Sequence, residues 1–326
     1  MSILVFGSLN MDLVTQVSRL PEPGETLLGD RFLTVPGGKG ANQAVAAARL
    51  GVSTAMVGRV GGDSFGEDLL KSLNAAGVNT ADVSIDGDDR TGVAAIAVAA
   101  NGENHIIVVP GANTAIDDTD IDRLIARFQH VQVLLLQFEI PLPMVQRAAQ
   151  LAQTQGIKVI VDPAPAQSAL PDAFYRSIDI LTPNQSEAAQ LVGFPVDTPE
   201  SALAAAQHLR SRGVKTVIIK LGSQGCVCSS PEGSFLLPAY KVDAVDTVAA
   251  GDAFNGGLAA ALCQDQALLQ AMQQGSAVAA LSVTQAGAQS SLPTRDRVTA
   301  FLAEAPLPQP VLLTPAPRPQ DTDRQH

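Results

Sequence analysis

Short apolar runs alternate with longer amphipathic stretches along most of this chain. The apolar runs include residues 3–6, 131–136, 158–161 and 216–219, and stretches with helical periodicity separate them. This alternation predicts strands that alternate with helices, which is typical of an α/β domain with a mostly parallel sheet. Because the later runs are almost continuously apolar, both faces of their strands are expected to be covered. We therefore predict a doubly wound, mostly parallel sheet that is flanked by helices.

Two stretches interrupt this order, at about residues 12–36 and 90–109. In the second stretch, two apolar runs flank Asn101-Gly102, a dipeptide that is typical of a β-hairpin turn. We predict that these pieces form a small β-sheet. Such a sheet would act as a lid over the ligand-binding end of the large sheet.

The composition changes near the end of the chain. After about Ala305, prolines recur among polar residues, at Pro306, Pro308, Pro310, Pro315, Pro317 and Pro319. Segments of this composition cannot bury enough apolar surface to fold. We therefore predict one folded domain at residues 1–302 and a disordered tail at residues 303–326.

Composition and charge limit the classes of function. The chain has 326 residues, of which 46% are hydrophobic, so it can bury a substantial core. Its formal net charge of −11 disfavours nucleic acid as a partner. The first apolar run is too short for a signal peptide or a membrane span, and three cysteines are too few for a disulfide framework. We expect a cytoplasmic protein with no membrane partner.

A run of small residues precedes a predicted helix in the second half of the chain. The run reads Val248-Ala249-Ala250-Gly251, and Asp252 follows it in the predicted first helical turn. Backbone N–H groups of Ala249, Ala250 and Gly251 can form an anion hole for a transferring phosphoryl group. Asp252 can accept the proton of the attacking hydroxyl group. Taken alone, a carboxylate at this position is also the ordinary partner of a helix start.

Polar residues follow two predicted strands at the edge where doubly wound proteins bind ligands. Asn10 and Asp12 come directly after the strand at residues 3–6, and Glu139 follows the strand at residues 131–136. Asn and Asp side chains can hydrogen-bond to neighbouring hydroxyl groups of a sugar. The alternative is that these residues form an ordinary turn or cap.

Three further loops are candidates for ligand contacts. Glycines at residues 36–43 precede an Ala-rich helix and would let the backbone approach a ligand, or simply make a tight turn. Asn184 and Glu187 open another helix, either as helix-start residues or as contacts to phosphates and hydrated Mg²⁺. The turn at residues 220–225 is either a bare hairpin or a nucleotide-contacting loop.

Five segments of the chain, taken together, are more specific than any one of them. The segments read GSLNMD at 7–12, GGKGANQAVAAARLG at 37–51, DPAP at 162–165, TPN at 182–184 and DTVAAGD at 246–252. In their residues and their order, these segments closely resemble those of the ribokinase and phosphofructokinase-B family of carbohydrate kinases, and within it those of the ribokinases. The resemblance runs from about Ile3 to Leu302. The resemblance implies a ribokinase-like fold and ATP-dependent phosphorylation of D-ribose at O5, with Asp252 as the base.

The resemblance also implies roles at matching positions. The sugar would contact Asn10, Asp12, Gly38, Lys39, Asn42 and Glu139. ATP would contact Asn184, Lys220, Leu221, Gly222, Ser223, Gln224, Gly225, Gly251 and Ser276. A monovalent cation, usually K⁺, would lie at Asp246, Val248, Ser282, Gln285, Gly287 and Ser291, mostly on backbone carbonyls. The family's lid implies a homodimer through the small sheet.

The chain departs from the family pattern at three places. Lys220 stands where ribokinases commonly begin the nucleotide loop with Thr, which would alter a hydrogen bond to the nucleotide. The anion-hole segment reads VAAGD where much of the wider family has TGAGD. The Pro-rich tail has no counterpart in the family core.

Other functions are open from the sequence alone. A kinase for 2-deoxyribose, fructose or adenosine would use the same motifs, because acceptor choice depends on pocket geometry. A sugar sensor without catalysis would not need Asp252, which this chain retains. A nicotinamide dehydrogenase is disfavoured, since no G-x-G-x-x-G segment follows the first strand.

Overall fold

A computed structural model of the chain describes residues 2–167 and 170–313. In chain order, its strands are β1 (Ser2–Phe6), β2 (Asn10–Val17), β3 (Arg31–Gly37), β4 (Thr54–Gly61), β5 (Val78–Asp86), β6 (Gly92–Ala99), β7 (Asn104–Val109), β8 (Val131–Leu136), β9 (Lys158–Val161), β10 (Ile180–Leu181), β11 (Thr216–Lys220), β12 (Cys226–Ser230), β13 (Gly233–Leu237) and β14 (Val311–Leu312). Its helices are α1 (Lys39–Arg49), α2 (Ser64–Ala75), α3 (Asp118–Ala126), α4 (Leu142–Thr154), α5 (Asp172–Tyr175), α6 (Gln185–Val192), α7 (Pro199–Ser211), α8 (Ala250–Cys263), α9 (Leu268–Ser282) and α10 (Arg295–Glu304).

The large sheet has the strand order β14-β13-β12-β11-β10-β9-β8-β1-β4-β5. From β5 to β11 all neighbouring strands are parallel, and β12, β13 and β14 add an antiparallel edge. Successive side chains of a strand point to opposite faces, so Ile3 and Val5 enter one apolar core while Leu4 and Phe6 enter another. The predicted doubly wound fold is confirmed.

The small sheet has the strand order β3-β2-β6-β7. Its strands come from the two stretches that interrupt the βα order of the sequence. β6 and β7 pair antiparallel across the turn at Asn101-Gly102, so the predicted hairpin is present. The lid role of this sheet stays a prediction.

The end of the described chain differs from the predicted disordered tail. Helix α10 continues to Glu304, and Val311 and Leu312 then pair with β13 as an edge strand. The Gln273 side chain also donates to the carbonyl oxygen of Pro308 at 3.0 Å. The open edge of β13 explains this difference, because its unpaired backbone groups accept a further strand. Residues 314–326 of the predicted tail lie outside the described residues.

The helices are short relative to a lipid bilayer. Within residues 2–167 and 170–313, none combines the length and the apolar character that crossing a membrane requires.

Candidate active site

The carboxyl ends of the parallel strands meet at one edge of the large sheet, as the topology requires. Asn10 and Glu139 follow β1 and β8 at this edge, and Asp162 directly follows β9. Helices α1 and α8 begin close together, because the side chains of Asn42 and Gln43 in α1 donate hydrogen bonds to Asp252 in the first turn of α8. The structure thus gathers residues that are far apart in the sequence.

Asp252 lies in the first turn of α8, and its carboxylate is buried. Its Oδ2 accepts a hydrogen bond from Asn42 Nδ2 and its Oδ1 accepts one from Gln43 Nε2, both at 3.0 Å. Burial raises the pKa of Asp252 to about 6, although the Lys39 charge and the two amide donors oppose the shift. A carboxyl group with this pKa is ionised near neutral pH and still basic enough to accept a proton.

The side-chain amide of Gln43 links Asp252 to a second carboxylate. Gln43 Nε2 also donates to Asp162 Oδ2 at 3.1 Å, and Gln43 Oε1 accepts from Gln137 Nε2 at 2.7 Å. Gln43 and Asp162 lie in segments that carry the family resemblance, but the sequence assigned a role to neither of them. Asp162 could have been found, because it follows a strand end just as Glu139 does. Gln43 offered no such signal beyond its place next to Asn42.

Glu139 organises the sugar side of the predicted site. Its Oε2 accepts hydrogen bonds from Ser8 Oγ at 2.5 Å, Asn10 Nδ2 at 3.4 Å and the Lys39 backbone N–H at 3.1 Å. Among the described residues, Glu139 Oε1 has no donor, so it is available to a ligand hydroxyl group. The structure therefore brings Asn10, Lys39 and Glu139 together as predicted.

Asn113 fixes the orientation of Asn10 and was not predicted. Its buried side chain donates to Asn10 Oδ1 at 2.8 Å and to the Leu9 carbonyl oxygen at 3.0 Å. Its Oδ1 accepts the Leu9 backbone N–H at 2.9 Å. Because Asn10 Oδ1 is held in this way, the amide of Asn10 has a defined direction toward Glu139.

Carboxylates surround a single lysine on this side. Burial, Glu139 and Asp252 raise the pKa of Asp12 to about 7, while Lys39 lowers it. Burial disfavours the charged form of Lys39, but the carboxylates, led by Asp252 and Glu139, outweigh burial and raise its pKa. Lys39 therefore remains an ammonium group, and Asp12 can change its charge near neutral pH.

A cleft of about 730 Å³ reaches Asp252 and Lys39 from the other side. Most predicted ATP contacts line it, namely Asn184, Glu187, Lys220, Gly222, Ser223, Gly225, Gly251 and Ser276. Leu221 does not, because its side chain is buried in the core, and Gln224 is exposed outside the lining. The side chains of these two residues therefore do not line the cleft, and their contact with ATP stays a prediction.

The cleft also has an apolar wall that the sequence did not reveal. Tyr240, Val242 and Ala244 come from the segment between β13 and α8, and Ala280 and Val283 come from the end of α9. Such a wall suits a planar apolar group such as a nucleobase. The segment carries no motif, so only the structure places it here.

Of the three N–H groups predicted to form the anion hole, two lack an acceptor among the described residues and one is engaged. Ala249, at a φ of 59°, is the left-handed residue that precedes α8. The N–H of Ala250 donates to the Thr247 carbonyl oxygen at 3.3 Å, so this predicted donor is engaged in the turn. Among the described residues, the N–H groups of Ala249, Gly251 and Asp252 have no acceptor. They remain available at the positive end of the helix dipole.

Asn184 and Glu187 serve the helix start and the cleft at once. They form a reciprocal capping box of α6. The Glu187 carboxylate accepts the backbone N–H and the side-chain amide of Asn184, each at 2.8 Å, and the Glu187 backbone N–H donates to Asn184 Oδ1 at 2.9 Å. Burial and the neighbouring Asp162 carboxylate raise the pKa of Glu187, while Lys220 opposes the shift.

The part of the chain that the structure describes has no cluster of three or more acidic, His or Cys side chains for a metal ion. Asp162 and Glu187 fit Mg²⁺ only as the few protein oxygens beside phosphate and water.

The predicted cation ligands lie in and beside two loops: Asp246 and Val248 precede α8, Ser282 ends α9, and Gln285, Gly287 and Ser291 follow α9. Asp246 joins the loops, because it accepts the N–H of Val248 at 3.0 Å and that of Gly287 at 2.8 Å. The N–H of Gln285 donates to the Ser282 carbonyl oxygen at 3.2 Å. Carboxylate, carbonyl and hydroxyl oxygens are hard donors that suit K⁺, so the residues fit the predicted ion. Whether they bind it stays a prediction.

Comparison with known proteins agrees with this geometry. The sequence model of the pfkB family carbohydrate kinases matches residues 1–295. The chain belongs to this family. The predicted family, the predicted fold class and the predicted kinase activity on a carbohydrate are thereby confirmed.

Relatives within the pfkB family match nearly the whole chain. A ribokinase from Haemophilus influenzae is 41% identical over 93% of this chain and 99% of its own length. A deoxyribokinase from Salmonella typhi is 38% identical over 93% of this chain and 99% of its own length. The structure of an Arabidopsis thaliana ribokinase complexed with ribose and ATP has a TM-score of 0.85 and 32% identity, covering 92% of this chain and 98% of that one.

We predict that Gly38→Ala weakens binding of the carbohydrate acceptor. Gly38 has a φ of +89°, and a Cβ atom there would lie 2.7 Å from the backbone nitrogen of Asn10. The displacement of Asn10 should raise KM for the acceptor roughly tenfold, and the backbone strain of about 1–3 kcal/mol should lower stability. Steady-state kinetics would measure this change.

Gly77→Ala is the matched control. Gly77 has a φ of +86°, but a Cβ atom there would meet nothing within 4 Å. Both variants should therefore lose stability in urea unfolding, whereas only Gly38→Ala should raise KM. An equal effect of both variants on KM would contradict the placement of Gly38 beside the acceptor.

Proposed function

We propose that this pfkB-family kinase transfers the γ-phosphoryl group of ATP to the O5 hydroxyl group of D-ribose, giving ribose 5-phosphate and ADP. The observation that carries the proposal is the position of Asp252. Its buried carboxylate lies at the start of α8, between the polar cluster around Glu139 and the cleft that holds the predicted ATP contacts. The Haemophilus influenzae ribokinase at 41% identity supports ribose as the acceptor.

Asp252 acts as the base in this mechanism. It accepts the proton of the O5 hydroxyl group while that oxygen attacks phosphorus and the bond to the ADP oxygen breaks. The N–H groups of Ala249 and Gly251 stabilise charge on the transferring group, because they are fixed before the reaction begins. Asn42 and Gln43 hold the carboxylate in place, since each donates to one of its oxygens.

Two ions belong to the proposal. Mg²⁺ would bind the phosphates of ATP beside Asp162 and Glu187 and supply charge neutralisation when bound. K⁺ would bind the two loops that Asp246 joins and stabilise the segment that carries the anion hole. Both sets of residues offer oxygen ligands, which is the chemistry that these ions prefer.

2-Deoxyribose is the second candidate acceptor. The Salmonella typhi deoxyribokinase is nearly as similar to this chain as the ribokinase is, at 38% identity. The two sugars differ by one hydroxyl group. A site built to hydrogen-bond that group rejects the analogue that lacks it, so the difference is measurable as a ratio of kcat/KM values.

We also propose that the kinase forms a homodimer through the small sheet. This sheet exposes an apolar surface at Phe32, Ile106, Ile107, Val108 and Val109. Ile107 and Val109 share one face of the sheet with Phe32, while Ile106 and Val108 point to the other face. Large apolar side chains exposed on both faces favour an interface. The edge strand β7 is also open to pairing with another chain.

A cytoplasmic location is part of the same proposal. The three cysteines, Cys226, Cys228 and Cys263, are free and buried. Free thiols are typical of proteins in a reducing compartment. ATP, the proposed phosphoryl donor, is likewise a cytoplasmic substrate.

We predict that ribose is the preferred acceptor. ADP release should be measured with ribose, 2-deoxyribose, fructose and adenosine, with and without Mg²⁺ and K⁺. The highest kcat/KM is expected with ribose, turnover should require Mg²⁺, and K⁺ should increase it. A preference for fructose or adenosine would overturn the proposed substrate. No turnover with any acceptor would favour a sugar sensor.

We predict that Asp252→Asn lowers kcat on the order of 10²- to 10⁴-fold, because the amide cannot accept the hydroxyl proton. In the unmodified kinase, kcat/KM should fall as the pH decreases through about 6, where Asp252 of the free enzyme takes up a proton. The residual activity of the variant should not show this fall. Asp122→Asn, which changes an exposed carboxylate of α3, is the control. Near-normal turnover of folded Asp252→Asn would disprove the assignment of Asp252 as the base.

We predict that Ile107→Asp makes the protein monomeric, because a charge in the apolar surface opposes its burial. Ile107 is 67% exposed in the small sheet, and Ile85 is 66% exposed in β5 of the large sheet. Ile85→Asp is therefore a control of equal exposure and should leave the dimer intact. Analytical ultracentrifugation would measure both. A monomeric unmodified protein, or a dimer that survives Ile107→Asp, would contradict this interface.

A further inference from the structure

Lys220 ends strand β11, and its ammonium group reaches the start of helix α8. A Cβ atom on Gly251 would lie 3.1 Å from Lys220 Nζ, so the ammonium group is in contact with the first turn of the helix. The Lys220 backbone N–H donates to the Pro183 carbonyl oxygen at 2.8 Å, which fixes the root of the side chain. Position 251 accommodates this arrangement because glycine has no side chain to displace the amine.

Asp162 holds the ammonium group in this position. Lys220 Nζ lies 3.0 Å from Asp162 Oδ1, and the two side chains are 14% and 4% exposed. An ammonium group has three N–H donors, and Asp162 engages one. Within residues 2–167 and 170–313 the group has no second hydrogen-bond partner. The other donors are therefore free toward the cleft that Lys220 lines.

A hydrogen-bonded chain links this cation to the proposed base. Asp162 accepts from Lys220 on Oδ1 and from Gln43 on Oδ2, and the same Gln43 amide donates to Asp252 Oδ1. The cation and the base are thus the two ends of one connected set of buried groups. Their separation is fixed by the side chains between them.

The start of α8 is an unfavourable place for a cation. The N-terminus of a helix carries partial positive charge, which repels an ammonium group and attracts an anion. Asp162 compensates the charge of Lys220 in part, but the N–H groups of Ala249 and Gly251 still lack acceptors among the described residues. An anion bound between Lys220 and the helix start would accept hydrogen bonds from the ammonium group and from these N–H groups.

We propose that Lys220 is a catalytic residue whose ammonium group binds the terminal phosphoryl group of ATP, with Asp162 as its positioning residue. This inference rests on the proposed phosphoryl transfer. Gly251, which the ammonium group touches, directly precedes Asp252, so the cation lies where the phosphoryl group meets the attacking hydroxyl group. A lysine binds phosphate as a point charge and stabilises the charge that develops during transfer.

Lys220→Met tests the inference. Affinities for ADP and for the non-hydrolysable analogue AMP-PNP should be measured by calorimetry with Mg²⁺, alongside kcat for ribose. Only AMP-PNP has a γ-phosphoryl group, so its Kd should rise roughly tenfold while that for ADP changes less than about twofold. The value of kcat should fall on the order of 10²-fold, as after loss of one anion-hole donor.

Lys215→Met is the matched control, because Lys215 directly precedes the opposite end of β11 and is largely exposed. It removes the same charge and should leave both affinities and kcat unchanged. If Lys220→Met does not fold, Lys220→Gln keeps a hydrogen-bond donor for Asp162 without the charge and should give the same pattern.

Two results would overturn the inference. Equal weakening of ADP and AMP-PNP binding would mean that Lys220 shapes the nucleotide site in general, and unchanged binding and kcat would mean that its ion pair is only structural. In either case, an unmodified kinase that phosphorylates ribose would leave the proposed function standing. An unmodified protein that binds no nucleotide and phosphorylates no acceptor would overturn both.

Discussion

Gln43 donates its buried side-chain amide to two carboxylates, those of Asp162 and Asp252. Burial raises the pKa of Asp252, and the hydrogen bonds from Asn42 and Gln43 oppose this shift because they stabilise the ionised carboxylate. Gln137 holds the amide oxygen and thereby fixes which way the donors point. The ends of β8 and β9 and the starts of α1 and α8 must therefore keep one relative position. That constraint places the proposed base.

The topology made part of this site predictable from the sequence. Asn10 and Glu139 follow apolar strands, and parallel strands share one ligand-binding edge, so their proximity could be inferred. The contacts of Gln43 could not, because they span 119 and 209 residues and depend on how α1 packs on α8. The hydrogen bond from the Leu9 backbone N–H to Asn113 Oδ1 likewise joins residues that are 104 positions apart in the sequence. The pairing of Val311 and Leu312 depends on an open sheet edge, which composition does not report.

The proposed sugar side and the proposed nucleotide side of the site carry different charges, which suit the ligand that each side would bind. On the sugar side, Asp12 and Glu139 offer acceptors to neutral hydroxyl groups, and their mutual repulsion helps to raise the pKa of Asp12 to about 7. On the nucleotide side, an anionic ligand needs positive partners despite the overall charge of −11. Lys220 and the start of α8 supply them locally. A net charge that disfavours nucleic acid as a partner therefore does not prevent a small phosphate ligand from binding.

The same division explains how relatives with different named acceptors can resemble this chain almost equally. The ribokinase and the deoxyribokinase are 41% and 38% identical to it over 93% of its length. In the proposed mechanism, phosphoryl transfer depends on Asp252, on Gln43, which donates to it, and on the start of α8, and any acceptor would require these groups. Acceptor choice would depend on the separate cluster around Asn10 and Glu139, the proposed contacts of the sugar. Because Asp252 lies between the two parts, a change in the cluster can alter the preferred sugar while the base and its supports stay in place.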